Sequence, residues 1–540
     1  MIMRRKILLV FAALIVMSCS KNGIDSGMVF MPEEGIYHGE IILGDQLDNP
    51  YKLENMQAAY DVVSLTKGGS SHSREPLKPT HLYVRFLPLT DQEYDDLMNE
   101  KLDLVDHPLD YSIKREGDWY HDPEIPAGEC TWLYSTVPVD FDFKDYNYEE
   151  LQECVIQEVE AGTRSYGIDW AEVERMAFEM TGNSNEICDQ IETRSGKEAF
   201  RPSGRITIED TEWNGGVPFG VAGVRVSCNC FVKFAHTYTD RDGYYTMDKS
   251  FRSNPRYRLV FKNEKGFAIG FNAIIVPASV STLGKGSPSG KSYTVNINSD
   301  EKLFRRCVVN NAAYDYICQC QDEEGLNIPL PPSNLRIWIF KSAKASSAVM
   351  LHHGALLTNE HIKGYLGALA FVVKSFAPDI TIGTEGYHTY SEIYRTVVHE
   401  MAHTSHYAQV GNNYWNKYIV YIINSFIHDK TICYGNGLGS NAGYCEIGEM
   451  WAYYMESLLV QNRYGGERIP FGYTFWFYPQ IFHQLDNYGL APKNFLLALQ
   501  GDVTNLISLR DKLLYLYGDL NQDWKEHIIE VFDKYDYVRE

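Results

Sequence analysis

The stretch TVVHEMAHTSHYAQVG, residues 396–411, contains His399, Glu400 and His403 in the spacing H-E-x-x-H. Residues four apart lie on one face of an α-helix, so the two imidazoles can reach the same metal ion. The glutamate between them points to the same place and can act as a general base on a metal-activated water. The stretch therefore predicts a helix that carries a zinc centre.

Signals on both sides of the motif favour this helix. Thr389 and Glu392 fit the S/T-x-x-E capping box just before it. Gly411 is a natural stop at the C-terminal end. An apolar stripe at helical spacing lies between them, formed by Ile393, Val397, Val398, Met401 and Ala402. The alternative is a chance match on an amphipathic helix, and the cap and a downstream acidic segment argue against it.

A catalytic zinc ion usually has three protein ligands and one open position. His406 is on the same helix as His399, but seven residues rise roughly 10.5 Å, whereas zinc–nitrogen bonds are about 2.1 Å. The metzincin pattern H-E-x-x-H-x-x-G-x-x-H is excluded, because positions 406 and 409 are His and Gln. We expect His406 at the surface or behind the ligands.

The third ligand is expected on a later helix, predicted from about 444 to 462. Glu446, Glu449, Tyr453 and Glu456 fall on one face of that helix by the i, i+3, i+4, i+7 rule. Polar groups on an otherwise apolar helix need a reason, since buried and unpaired carboxylates are unfavourable. A zinc ion supplies that reason, with Glu446 or Glu449 as its ligand.

The motif followed by Glu449-Met450-Trp451-Ala452 and then Glu456 is similar to the gluzincin metallopeptidases, the relatives of aminopeptidase N and thermolysin. The resemblance covers mainly residues 390–460. It implies a zincin-type fold, a Zn²⁺ cofactor, Glu449 as third ligand, Glu400 as general base and a peptide or protein substrate. A clear G-x-M-E-N segment is missing upstream, and Glu385 is a weak substitute. An endopeptidase is therefore favoured over an aminopeptidase.

An oxyanion donor completes the expected site. Tyr453 is the best placed by helical face, and Tyr434, Tyr444 and His483 stay open as alternatives. Two other functions remain possible at this point. One is an adhesion, glycan-binding or protein-binding lipoprotein with a non-catalytic zinc site, which would not need Glu400. The other is a zinc hydrolase of a non-peptide amide or ester.

The N-terminal sequence predicts that the protein is exported from the cytoplasm. Basic residues at 4–6 precede a short apolar run that ends in Val16-Met17-Ser18-Cys19, which resembles a bacterial lipobox. The resemblance implies a signal peptide at 1–18, a lipid on Cys19 and a tether at 19–45. It places the protein in a bacterial cell envelope, and Ser20 favours the outer membrane. An ordinary signal peptide with an incidental cysteine is the alternative.

The charge of the chain limits the classes of molecule that it is expected to bind. The formal net charge is −22 and no long Lys/Arg cluster occurs, which argues against nucleic acid as a partner.

The cysteines of an exported chain can be oxidised to disulfides. Cys433 and Cys445, which flank a glycine-rich loop, are the best local pair.

The chain predicts a multidomain α+β protein. Residues 46–198 are a mixed α/β region with helices near 147–160 and 169–181. Residues 200–285 carry strand-like runs at VAGVRV (221–226), TDRDGYY (239–245) and RYRLVF (256–261). They resemble the carboxypeptidase regulatory-like domain, a transthyretin-like β-sandwich, and Asp240 and Asp242 are expected to form a turn there rather than a calcium site. Residues 300–540 form a mainly helical, zincin-type metallopeptidase domain, with a further helix at 359–376.

Overall fold

The structure is a computed structural model that describes residues 40–66, 76–89, 91–125, 130–157, 169–188, 199–270, 278–298, 300–322, 325–341, 343, 346–355, 378–429, 434–466 and 475–535. The predicted signal peptide with Cys19, the predicted helix at 359–376 and Cys433 lie outside these residues. Within them, no helix is both long and apolar enough to cross a membrane.

The N-terminal region is mixed α/β, as predicted. Its strands are β1 Ile42–Gln46, β2 His81–Phe86, β3 Tyr111–Arg115, β4 Leu133–Pro138 and β5 Tyr148–Cys154. Its helices are α1 Leu53–Thr66, α2 Asp91–Asn99 and α3 Trp170–Met180. Strand β2 lies between β4 and β5 in an antiparallel sheet, and β1 pairs with β3. Because β1 begins at Ile42, the last residues assigned to the tether belong to the folded region.

The helix predicted near 147–160 is wrong, because strand β5 occupies 148–154. The segment pairs antiparallel with β2 along its length, from Phe86 opposite Tyr148 to His81 opposite Cys154. An ion pair of 2.6 Å between Arg85 and Glu149 crosses the same two strands. Cross-strand contacts of this kind override the weak helical preference of a glutamate-rich segment.

The next region is rich in strands, as predicted. They are β6 Ser203–Ile208, β7 Phe219–Gly220, β8 Val224–Cys230, β9 Lys233–Tyr238, β10 Tyr244–Thr246, β11 Arg256–Asn263, β12 Phe267–Ile269, β13 Val280–Lys285 and β14 Tyr293–Val295. A small sheet has the order β10-β6-β14, with β7 also on β6. The predicted turn is confirmed, since Oδ1 of Asp240 accepts hydrogen bonds from the backbone N–H groups of Asp242 and Tyr244.

A second, seven-stranded sheet connects this region to the C-terminal region. Its order is β16-β15-β12-β11-β8-β9, with β13 on β11; β15 is Leu335–Phe340 and β16 is Ile380–Gly383. Strand β12 pairs in parallel with β15, which pairs in parallel with β16. Strands on both sides of the expected boundary at 285–300 therefore belong to one sheet, and the assignment of the separate domains stays a prediction.

The C-terminal region is mainly helical, as predicted. Its helices are α4 Glu301–Gln321, α5 Tyr390–Asp429, α6 Ala442–Tyr464, α7 Gln480–Asn487, α8 Pro492–Ala498, α9 Leu506–Leu513 and α10 Gln522–Phe532. Helix α4 packs against α5, where Tyr316 donates a hydrogen bond of 2.9 Å to Ser405. Arg463 near the end of α6 pairs with Asp210 at 3.1 Å and lies over the ring of Trp213. These contacts fix the helices on the strand-rich region.

Helix α5 has two halves, because the backbone at Gly411 has φ 72° and ψ −179°. Only glycine adopts this combination readily. The predicted helix stop at Gly411 is confirmed as this break. The break turns the second half back toward the first, so residues from both halves reach the same site.

Gly411→Ala is expected to lower the free energy of unfolding by about 1–3 kcal/mol, because alanine is strained at this backbone conformation. Gly448→Ala in the interior of α6 is the matched control. A Cβ there would meet the ring of Tyr418 at 3.6 Å, an ordinary contact, so the control should be neutral or stabilising by about 0.5–1 kcal/mol. Urea unfolding measures both variants, and equal effects would contradict this account of the break.

Candidate metal centre

The first half of α5 begins with the predicted capping box. Oε2 of Glu392 accepts a hydrogen bond of 2.9 Å from the backbone N–H of Thr389, and the Thr389 hydroxyl accepts one of 3.3 Å from the backbone N–H of Glu392. The predicted apolar stripe is buried throughout. With that face in the core, His399 and His403 point together toward α6, and their ring centroids are 5.0 Å apart.

Helix α6 brings a carboxylate between the two imidazoles. Glu449 Oε2 lies 3.5 Å from His399 Nε2, and Glu449 Oε1 lies 3.6 Å from His403 Nε2. The indole N–H of Trp451 donates to the carbonyl of Ala402 at 3.0 Å, which fixes how the two helices pack. One ligand atom from each of the three residues lies within 4.8 Å of the others. The structure thus brings together the three predicted ligands.

The choice between the two candidate glutamates follows from their contacts. Glu446 faces away from the histidines, and its Oε2 accepts a hydrogen bond of 3.1 Å from the backbone N–H of Leu506 at the start of α9. It therefore stabilises a helix terminus. Glu449 is the residue that faces His399 and His403.

The cluster fits a zinc ion. All three side chains are buried, and neither His399 Nε2 nor the two nitrogens of His403 have a hydrogen-bond partner among the described residues. Buried imidazole nitrogens without partners are unfavourable, and a metal ion satisfies them. Tetrahedral zinc with bonds of about 2.1 Å places its ligand atoms roughly 3.4 Å apart. The separations of 3.5 and 3.6 Å between the imidazoles and the two oxygens of Glu449 are close to this value.

Glu456 supports the first ligand, a role that the sequence analysis missed. Its Oε2 accepts a hydrogen bond of 3.1 Å from Nδ1 of His399, and Arg395 lies 3.6 Å from its other oxygen. Such a carboxylate fixes the ring and leaves Nε2 available to a metal. Seven residues separate it from Glu449, so the shared helix face was the available signal.

Tyr418 supports the carboxylate ligand in the same way. Its hydroxyl donates a hydrogen bond of 2.6 Å to Oε1 of Glu449, and its ring lies beside that of His403. The residue belongs to the second half of α5 and reaches the site because of the break at Gly411. Its place in the sequence carries no signal that would have identified it.

The electrostatics of the cluster favour a cation. Burial lowers the pKa of His399, but the nearby carboxylates of Glu449 and Glu456 outweigh it and raise that pKa to about 10. Burial lowers the pKa of His403 to about 3, with only partial opposition from Glu449. The carboxylates thus stabilise positive charge beside His399, and a metal ion competes with the proton for that position.

Glu400 lies beside the ligands without belonging to the cluster. It is fully buried, and its pKa is raised to about 8, mainly by burial and also by Glu449 and Glu456, against the opposing charge of His399. A carboxyl group with a pKa near neutrality can both accept and return a proton. This position and this acidity suit the predicted general base.

The predicted oxyanion donor Tyr453 is at the site. Its ring packs edge-on against His399 with a centroid distance of 4.6 Å. Its hydroxyl makes a short hydrogen bond with that of Tyr434, so two of the candidates are joined. The other two candidates lie elsewhere: Tyr444 accepts from Lys417 at 2.8 Å, and His483 contacts Ser457 at 2.7 Å.

His406 is buried, so the part of the prediction that placed it at the surface is wrong. Its ring packs against those of Tyr414 and Trp415. Burial lowers its pKa to about 3. The second half of α5 covers this side of the first half, which is why the residue does not reach solvent.

In comparisons with known proteins, no protein family, curated protein or solved structure matches the chain. The gluzincin resemblance therefore rests on the residues of the motif and stays a prediction.

Zinc content should depend on Glu449 and be independent of Glu446. Glu449→Ala is expected to lose most of its zinc during dialysis, because one of three ligands is removed. Glu446→Ala is the matched control on the same helix and should retain about one zinc per chain. Elemental analysis after dialysis measures both, and full retention in a His399→Ala/His403→Ala variant would contradict the assignment.

Zinc affinity should also depend on Glu456. Glu456→Gln removes the charge next to Nδ1 of His399, and loss of such a supporting carboxylate typically lowers affinity about 10–100-fold. Competition with a fluorescent chelator gives the affinity, and a melting curve of the metal-free chain tests for unfolding. Unchanged affinity in a folded Glu456→Gln chain would show that this carboxylate does not support the ligand.

Proposed function

We propose that the protein is a zinc-dependent metallopeptidase that hydrolyses peptide bonds, with Glu400 as general base and with His399, His403 and Glu449 as zinc ligands. The observation that carries this proposal is the buried cluster of His399, His403 and Glu449 beside a second carboxylate, Glu400, that is not part of it. Zinc binding alone does not need Glu400, whereas hydrolysis does.

The chemistry divides between the ion and the chain. Bound zinc supplies Lewis acidity, which makes a water more acidic and polarises the scissile carbonyl. Glu400 takes a proton from the attacking water as the water oxygen bonds to the carbonyl carbon. As the C–N bond breaks, Glu400 delivers that proton to the leaving nitrogen, so the products are a carboxylic acid and an amine.

Two further features of the chain support turnover. Glu456 and Tyr418 hold the ligands His399 and Glu449 in fixed orientations, as a preorganised site requires. Tyr453, joined to Tyr434, presents a phenol at the edge of the cluster. We assign to Tyr453 the donation of a hydrogen bond to the oxygen that becomes negative during attack.

The substrate class and the cell address extend the proposal. A peptide or protein is the proposed substrate, cleaved within the chain rather than at its amino terminus. We further propose attachment to a bacterial envelope, most simply the outer membrane, through a lipid on Cys19. This address rests on the sequence of residues 4–20 alone.

Glu400→Gln separates an enzyme from a protein that only binds zinc. The amide keeps the size of the side chain but is not basic, so hydrolysis should fall by roughly 10²–10⁴-fold while zinc content stays near one per chain. A peptide-library digest followed by mass spectrometry, with and without chelator, measures the activity. Glu446→Gln is the control and should cleave like the unmodified chain.

Two results would overturn the proposal. Near-normal cleavage by Glu400→Gln would remove the general base. No chelator-sensitive cleavage of any peptide by the unmodified, zinc-loaded chain would favour the alternatives, a non-catalytic zinc site in an adhesion or glycan-binding lipoprotein or a hydrolase of non-peptide amides or esters. A panel of ester and amide substrates distinguishes these two.

A further inference from the structure

A cavity of about 270 Å³ lies away from the metal centre, between the N-terminal region and one face of the seven-stranded sheet. The sheet contributes Arg258, Val260 and Lys262, which alternate along β11 and so share a face. Much of the remaining wall is apolar, with Leu104 and Leu133 from the N-terminal region among the lining residues. No residue of α5 or α6 lines it.

Arg258 brings to this cavity a guanidinium group with one donor nitrogen that lacks a hydrogen-bond partner among the described residues. The residue is only 5% exposed, and burial lowers the pKa of its guanidinium to about 10, which leaves it charged at neutral pH. Its Nη2 donates a hydrogen bond of 2.7 Å to Asn229, but its buried Nη1 has no partner among the described residues. A buried guanidinium donor without an acceptor is unfavourable.

The acidic residues of the cavity make their short contacts with other groups, and Asp106 and Asp103 act on Arg258 only through their charge. Asp103 pairs with Arg225 at 2.6 Å and with His236 at 2.8 Å. Oδ2 of Asp106 accepts a hydrogen bond of 2.6 Å from the backbone N–H of Tyr120. Asp118 lies 3.5 Å from the guanidinium of Arg306 on α4. An acceptor for Nη1 of Arg258 is therefore missing among the described residues, and a bound ligand can supply it.

His107 provides the complementary group. It is 4% exposed and lines the same cavity. Its Nδ1 lies 2.9 Å from the carbonyl of Pro108, and a carbonyl can only accept, so the proton is on Nδ1. Nε2 is then an acceptor, and it is buried with no hydrogen-bond partner among the described residues. The cavity thus offers a cationic donor, a neutral acceptor and apolar walls.

We propose that this cavity binds a small N-acylated amino acid. The carboxylate accepts from Arg258, the amide N–H donates to Nε2 of His107, and the acyl group or side chain contacts the apolar wall. The three groups match the three features of the cavity, and its volume suits a molecule of this size. The site is separate from the proposed metallopeptidase centre and does not depend on its activity.

Dansylglycine is the probe, because it combines an apolar ring system, an N–H donor and a carboxylate. A fluorescence titration of the purified full chain should show saturable binding that a chelator does not change. Dansylglycinamide lacks the carboxylate and should bind at least about tenfold more weakly, as expected for loss of a charge-assisted hydrogen bond. Equal binding of the two probes, or no saturable binding at roughly millimolar probe, would overturn the proposal and leave ordered water as the occupant.

Arg258→Met should weaken dansylglycine at least about tenfold. Arg256→Met is the matched control on the same strand, because Arg256 pairs with Glu116 and does not line the cavity. It should bind like the unmodified chain. If Arg258→Met does not fold, Val260→Trp decides, since it keeps the arginine and fills the cavity and should abolish binding. Unchanged binding by a folded Arg258→Met or Val260→Trp chain would refute the assignment.

Discussion

Three buried carboxylates beside two buried imidazoles are the constraint on which the helical region depends. Glu400, Glu449 and Glu456 are all enclosed between α5 and α6, and such groups are stable when positive charge compensates them or when they bind a proton. Within the chain, the imidazole of His399 supplies part of that positive charge, because its raised pKa keeps it protonated at neutral pH. In the proposed zinc-bound form, a divalent ion at the same point would supply more. The packing of the two helices would therefore be coupled to the binding of the proposed cation.

The break at Gly411 lets a single long helix surround this charge from two sides. The first half carries the imidazoles, and the second half returns with Trp415 and Tyr418. The Trp415 indole N–H donates to the carbonyl of Ala348 at 2.9 Å, next to the strand pairing of Ser347 with Thr381. The sheet edge, the break and the ligand support are thus connected through consecutive turns of α5.

Local sequence rules predicted the parts of the site that depend on local geometry. Residues four apart on a helix must share a face, so His399 with His403, and Glu449 with Tyr453, followed from spacing alone. Tyr418 did not follow, because its contact with Glu449 depends on the direction that the chain takes after Gly411. Helical spacing alone left Glu446 and Glu449 open, and the gluzincin resemblance favoured Glu449. The contact of Glu446 with the start of α9 depends on tertiary structure that no local pattern contains.

The fold shows the same division. The glutamate-rich segment at 148–154 has a weak helical preference, so its sequence favours a helix. Its pairing with β2 depends on residues more than sixty positions away, which no local pattern contains. The strand-rich character of 200–285 was visible in alternating residues and turn signals. The parallel pairing of β12 with β15 was not, because parallel strands are joined through long connections that carry no turn signature.

That parallel pairing has a consequence for how the chain is made. Strand β12, at 267–269, stays an open sheet edge until β15, at 335–340, has been synthesised. Its free backbone groups are available to other chains during that interval, and such edges are sites of misassembly. During synthesis, this edge is therefore open to pairing with other chains until β15 has been made and has paired with β12.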